Sequence, residues 1–251
     1  MVSEVVQGLL LGLAILIVFF FILPRVWRGK SGGGGWSLLL VGPSNAGKTA
    51  MFLRLRDGDG SRNRETVTSM RPNEGDVTMR VGGVEKNIHV IDLPGHPRLE
   101  SYFFKEVPRA KGIVMVVDCM DFNSSKEEVA RHMYRLLTSP VVRGRGVPIL
   151  VACNKSDGGA KAHSAEFIRK RLEKMVYEMY MSDRESGLDS IGNDKDEREH
   201  NILSGKGDGF SFSDLAERRK FHRPLHVSFQ KVSVKEGDLD AVKEFLGTCK
   251  L

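Results

Sequence analysis

The chain is poor in the residues that build several classes of protein. It has three cysteines, Cys119, Cys153 and Cys249, in 251 residues, too few and too scattered for a disulfide framework or a zinc cluster. Reduced thiols in a cytosolic setting are the expectation. With two tryptophans and four tyrosines, no basic stretch is interleaved with aromatics. The net charge of +6 is thus a weak argument for nucleic acid, and no direct nucleic-acid binding is expected. Charge is absent from Val5 to Leu23, Lys and Arg are absent from the four residues before it, and no small-x-small cleavage site follows, which argues against a cleaved signal peptide.

What is present in that uncharged stretch is Leu, Ile, Val and Phe. As a helix it reaches about 28 Å, close to the hydrocarbon thickness of a bilayer, and its insertion sums to roughly −4 to −8 kcal/mol. Arg25, Arg28 and Lys30 follow it, so the positive-inside rule places the rest of the chain in the cytosol. The expected organisation is a lumenal N-terminus at 1–4, a transmembrane signal anchor at 5–23, a basic and glycine-rich tether at 24–35, and one domain at 36–251. Val2 excludes N-myristoylation, and Cys249 sits one place too late for prenylation.

Beyond the tether, short apolar runs alternate with amphipathic segments, the rhythm of βαβ units. Strands are expected at Ser37 to Val41, Asp76 to Val81, Asn87 to Asp92, Gly112 to Asp118, Pro148 to Cys153 and Leu225 to Phe229. The turn Val81-Gly82-Gly83-Val84 predicts that the second and third are antiparallel neighbours. Helices are expected at Lys48 to Arg56, Ser125 to Thr138, Ser164 to Tyr180 and Leu239 to Thr248, the third facing the sheet through Phe167, Leu172, Met175, Val176 and Met179. Residues 182–220, polar and glycine-rich, read as a loop insertion.

Residues Gly42-Pro43-Ser44-Asn45-Ala46-Gly47-Lys48-Thr49 fit GxxxxGK followed by Ser or Thr, placed after a strand and before a helix. The glycines let backbone N–H groups converge on phosphate oxygens at a helix N-terminus, where the dipole favours an anion. Lys48 is expected at the β- and γ-phosphates and the Thr49 hydroxyl on Mg²⁺. An ordinary glycine-rich turn is the alternative that the strand and helix context disfavours.

Asn154-Lys155-Ser156-Asp157, after an apolar strand, selects among the nucleotides. The Asp157 carboxylate can accept from guanine N1–H and the exocyclic amine, a donor pair adenine lacks. Lys155 can lie over the base, and Asn154 can tie this loop to the phosphate loop. Asp92-Leu93-Pro94-Gly95-His96 ends the third strand, with Asp92 expected to hold Mg²⁺ through water and the Gly95 N–H to meet the γ-phosphate. Within Thr66-Val67-Thr68-Ser69-Met70, Thr68 is the choice for the hydroxyl that closes over Mg²⁺, with Thr66 its competitor. Ser233-Val234-Lys235 resembles the loop that backs the guanine.

Together GPSNAGKT, TVTSM, DLPGH, NKSD and SVK resemble the Arf and Sar branch of the Ras-superfamily small GTPases. With the apolar N-terminus, and with GDGFSFSDL at Gly207 to Leu215, the chain resembles the family of signal recognition particle receptor β subunits. The resemblance implies an α/β P-loop NTPase fold of Ras-like type, with a six-stranded mostly parallel sheet and one transmembrane helix. It implies GTP or GDP with Mg²⁺ as cofactors and residence in the endoplasmic reticulum membrane. The implied partner is the N-terminal domain of the receptor α subunit, held when GTP is bound, and through it the signal recognition particle and the ribosome. His96 stands where many small GTPases carry glutamine, so it either orients the attacking water or is a polar switch residue that meets the partner. Ser44, where glycine is usual, would crowd that water, and slow or partner-stimulated hydrolysis is expected. An Arf-like trafficking GTPase and a constitutive scaffold with structural GTP are the alternatives.

Overall fold

In β1 (Ser37–Val41), Leu38 and Leu40 point to one side and Leu39 and Val41 to the other, and all are buried. A strand buried on both faces belongs in the middle of a parallel sheet covered by helices on each side. The computed structural model, which describes residues 37–58, 66–81, 83–95, 100–185, 209–217 and 223–249, has that arrangement. After β1 come α1 (Lys48–Asp57), β2 (Asn73–Val81), β3 (Val84–Asp92), α2 (Glu100–Glu106), a 3₁₀ turn at Val107–Arg109, β4 (Ala110–Asp118), α3 (Phe122–Thr138) and α4 (Pro140–Arg145). They are followed by β5 (Ile149–Asn154), a 3₁₀ turn at Ser156–Lys161, α5 (Ala165–Glu185), α6 (Phe212–Glu217), β6 (Val227–Lys231) and α7 (Asp240–Thr248).

The sheet order is β2-β3-β1-β4-β5-β6. Only β2 runs antiparallel to its neighbour β3, with Val81 opposite Val84 across the glycine turn; the pairs β3-β1, β1-β4, β4-β5 and β5-β6 are parallel. The expected six-stranded, mostly parallel α/β fold is therefore present. On one face Met51 and Phe52 of α1 and Val242, Phe245 and Leu246 of α7 pack on Leu38, Leu40, Val114 and Val116. On the other, Met133, Leu136 and Leu137 of α3 and Ile168, Leu172 and Val176 of α5 pack on Leu39, Ile113, Met115 and Val151. Each such fully buried side chain contributes about 1.5–3 kcal/mol of apolar transfer.

Three expectations are corrected. The buried stripe of α5 is Ile168, Leu172, Val176 and Tyr180, an i, i+4 row, while Phe167 is 45% exposed and Met175 and Met179 are only partly buried. The span 182–220 is not loop throughout, because α5 continues to Glu185 and α6 buries Phe212 and Leu215, with Phe210 just before it. The final strand begins at Val227 rather than Leu225, since the Leu225 N–H bonds the Leu215 carbonyl at 3.3 Å instead of a strand. Among the described residues no helix is long and apolar enough to cross a membrane. The segment 5–23 and the tether 24–35 lie outside those residues.

Candidate functional site

The loops named by the motifs leave the C-terminal ends of β1, β3, β5 and β6, the end at which parallel α/β sheets bind ligands. The phosphate loop has left-handed or otherwise positive φ at Gly42 (134°), Asn45 (62°) and Gly47 (96°). A Cβ at Gly42 would strike the Val116 carbonyl oxygen, and one at Gly47 the Asn154 side-chain nitrogen; both conformation and space require glycine there. Helix α1 starts at Lys48 with no side-chain cap and no acidic residue in its first turn. Neither a side-chain cap nor a carboxylate of its own first turn thus occupies its N–H groups and positive dipole end.

Lys48 is 6% exposed and its Nζ donates to the Pro43 carbonyl at 2.8 Å. Burial lowers its pKa to about 8, against the opposing pull of Asp92 and Glu128. Asp92 is also buried, and burial raises its pKa, opposed by hydrogen bonds from Asn73 and Thr49 and by the charge of Lys48. The Thr49 hydroxyl donates to Asp92 Oδ2 at 2.7 Å and lies 3.1 Å from the Ser69 hydroxyl. Asn73 Nδ2 donates to the same Asp92 oxygen at 2.9 Å and to Ser69 Oγ at 3.1 Å. The other oxygen, Asp92 Oδ1, is buried without a hydrogen-bond partner among the described residues.

Gly95 closes this end. A Cβ there would stand 2.5 Å from the Ser44 nitrogen and 2.7 Å from Lys48 Nζ, so the segment after β3 rests directly on the phosphate loop. Ser44, Asn45, Lys48, Thr49, Thr68 and Gly95 border one small cavity, which Thr66 and Ser69 also line. The hydroxyl that meets Thr49 belongs to Ser69, not to Thr68 or Thr66, both of which are exposed. His96 lies outside the described residues.

The second half of the site is built around Asn154. Its Nδ2 donates to the Ala46 carbonyl at 2.9 Å and its Oδ1 accepts the Val234 N–H at 3.1 Å. Asp157 Oδ1 accepts the Ser233 hydroxyl at 2.7 Å, and Lys235 Nζ is 3.9 Å from Asp157 Oδ2. Ser233 and Asp238 form a small bridge that closes the last loop. Lys155 holds a left-handed backbone, φ 62°, and its ammonium donates to Asp118 Oδ2. Four segments far apart in the chain, 42–49, 92–95, 154–157 and 233–235, thus meet at one end of the sheet.

Asn73 and Asp118 lie outside every motif, and Ser69, inside Thr66 to Met70, has no role assigned by the motif reading. The available signal for Asp118 was a carboxylate ending an otherwise buried apolar strand, Ala110 to Asp118, where a charge needs a partner. Asn73 lies opposite Asp92 in the β2-β3 ladder, a register that sequence does not state. Chemically, the arrangement offers an anion cradle with a buried cation, an acidic oxygen awaiting a partner, and a second carboxylate set to accept from a ligand's edge.

A family model described as signal recognition particle receptor beta subunit matches residues 36–218. The signal recognition particle receptor subunit beta of Rattus norvegicus is 34% identical over 235 residues, covering 91% of this chain and 78% of the relative. That of Dictyostelium discoideum is 28% identical over 261 residues, covering 95% and 84%. Among solved structures, the mammalian SRP receptor superposes with a TM-score of 0.67 at 28% identity, over 85% of this chain and 99% of that one.

Proposed function

The chain belongs to the family of signal recognition particle receptor beta subunits, and from that premise we propose that it is the membrane-anchored guanine-nucleotide-binding subunit of that receptor, holding the receptor α subunit when GTP is bound. The observation that carries the nucleotide reading is the Asn154 side chain bonded to both Ala46 and Val234, which sets a phosphate cradle and a base-reading carboxylate at a fixed separation. In this reading Gly42 to Thr49 wrap the phosphates, and Asp157, held by Ser233, reads guanine. Lys155 covers the base face, and Val234 and Lys235 back it.

The residues present fit Mg²⁺. Thr49 offers a hydroxyl, Asp92 keeps a buried oxygen without a hydrogen-bond partner among the described residues, and Ser69 or Thr68 can supply the second hydroxyl from the segment before β2. The ion would neutralise phosphate charge at this end. The Ser69 contact with Thr49 and the lack of room for a side chain at Gly95 beside Ser44 and Lys48 support the reading that both flanking segments register a third phosphate. Val67 and Met70, 87% and 70% exposed, flank Ser69, and an apolar surface beside a phosphate sensor suits a partner that binds one nucleotide state. The α subunit's N-terminal domain is that partner in this reading, at the endoplasmic reticulum membrane.

The test uses the full chain in a bilayer mimic with magnesium. Calorimetric titration should give a preference for GTP over ATP of at least about a hundredfold, as expected where a half-buried acceptor reads donors on the ligand. Capture of the α subunit's N-terminal domain should then occur with GTP and be lost with GDP. Equal affinity for ATP would remove the role given to Asp157, and equal capture would remove the switch.

A further inference from the structure

Lys155 has an unusual backbone and an unusual partner. Asn45 and Lys155 are the two non-glycine residues with positive φ among the described residues, a conformation costing about 1–2 kcal/mol for an ordinary side chain, and one that marks functional positions when the surroundings enforce it. The side chain so directed reaches Asp118, at the C-terminal end of the neighbouring strand β4, which is 7% exposed.

The two oxygens of Asp118 have separate tasks. Oδ1 accepts the Met120 N–H at 2.8 Å and the Asp121 N–H at 3.3 Å, which fixes the plane of the carboxylate. Oδ2 accepts the Lys155 ammonium. The turn that carries Asp118 is itself tied to the base loop: the Cys119 N–H bonds the Asn154 carbonyl at 2.9 Å, the His163 N–H bonds the Cys119 carbonyl at 2.9 Å, and the Met120 side chain lies against Gly158. A lysine held at both ends, by a left-handed backbone and by a fixed carboxylate, presents its four methylene groups as a rigid wall.

We infer that Asp118 is a positioning residue for nucleotide recognition: by holding the Lys155 ammonium it fixes the Lys155 stem as the apolar face against which the purine lies. This rests on the guanine-binding reading above and adds a residue that none of the loop motifs contains. Asp118 touches neither base nor phosphate in this account; it acts through Lys155. A fixed apolar face would tighten any purine nucleotide while leaving the choice among purines to Asp157.

The test is a double-mutant cycle on the full chain, with Kd measured for GTP, GDP and ITP, the last lacking the exocyclic amine of guanine. In D118N the amide oxygen can still accept from Met120 and Asp121, while the charge on Lys155 loses its partner. Losing one charge-assisted hydrogen bond should raise Kd for GTP and GDP about tenfold, with the ratio of GTP to ITP affinity unchanged. K155M removes the ammonium at a side chain 41% exposed, a site where methionine is tolerated, and should give a similar loss. The double variant should bind no more weakly than K155M.

Multiplying losses, a changed GTP to ITP ratio in D118N, or wild-type affinity in D118N and K155M would each overturn the inference. Should D118N fail to fold, the K155M titration alone decides, since wild-type Kd there removes the role of the pair. Failure of the underlying reading looks different: the wild-type chain would then show no preference for GTP over ATP.

Discussion

The side chain of Asn154 donates to the main-chain carbonyl of Ala46 at 2.9 Å, joining loops 108 residues apart. With its carbonyl oxygen it also accepts from Val234, so a single amide binds the phosphate loop, the base loop and the last loop. Truncation in N154A leaves the buried Ala46 carbonyl and the half-buried Val234 N–H without this partner. Unfolding of the nucleotide-free chain by denaturant should show a loss of about 2–3 kcal/mol, accompanied by weaker GTP binding; a loss confined to binding, with stability intact, would contradict this account.

Asp157 is expected to set the purine preference. In D157N the side chain presents an amide to the base edge, which suits a carbonyl on the purine better than an amine. GTP affinity should fall by roughly a hundredfold while that for xanthosine triphosphate rises. Competition titration reads both, and an unchanged order of preference would assign base reading elsewhere.

Lys48 gives a pH signature with a definite sign. Its folded pKa is lowered by burial from 10.5 to about 8, so between those values the unfolded chain holds a proton that the folded chain has released, and stability of the nucleotide-free protein rises with pH across that window. Phosphate needs the charged form, so affinity should fall over the same window and binding should take up a proton at about pH 9. Calorimetry in two buffers of different ionisation enthalpy measures the uptake. It should vanish in K48M, and zero uptake in the wild-type chain would place the lysine's proton beyond reach of the ligand.

Gly95 has no room for a methyl group beside Ser44 and Lys48. G95A must push the segment after β3 off the phosphate loop, an overpacking effect of about 1–3 kcal/mol. Because that segment is the proposed sensor of the third phosphate, GTP affinity should drop about tenfold more than GDP affinity. Parallel losses for both nucleotides would make Gly95 a packing residue only.

Val67 and Met70 are the exposed apolar pair beside Ser69. The variant M70D should abolish GTP-dependent capture of the α subunit's N-terminal domain and leave the Kd for GTP within about twofold, since Met70, unlike Val67, does not line the phosphate cavity and a charge in an apolar contact costs the complex and not the free protein. Capture that survives the substitution would move the docking surface away from this segment.

The loops were legible in the sequence to the degree that their chemistry is written in local residue types. Gly42 to Thr49 and Asn154 to Asp157 are short, carry their own backbone requirements, and follow strands whose unbroken apolar runs are hard to mistake. Spacing to the next strand is the only guide to Thr68 in the sequence, and β2 begins at Asn73, earlier than the apolar pattern suggests; the Ser69 contact with Thr49 depends on where that strand joins β3. Helix α4 carries a local signal, with Ser139 capping it and Pro140 opening it, but it is only six residues long and has Gly144 within it, so no apolar periodicity announces it. Near-helical spacing puts Phe167 on the sheet-facing stripe, whereas the buried i, i+4 row runs through Ile168, one position later, and Phe167 stacks on His163 at 4.7 Å instead.

Helix α1 begins at the phosphate loop, and one of its later residues, Arg54, is 8% exposed and packs its guanidinium against Gly237, in the loop after β6. A small roll of this cylinder would therefore be felt at both extremities of a bound nucleotide together.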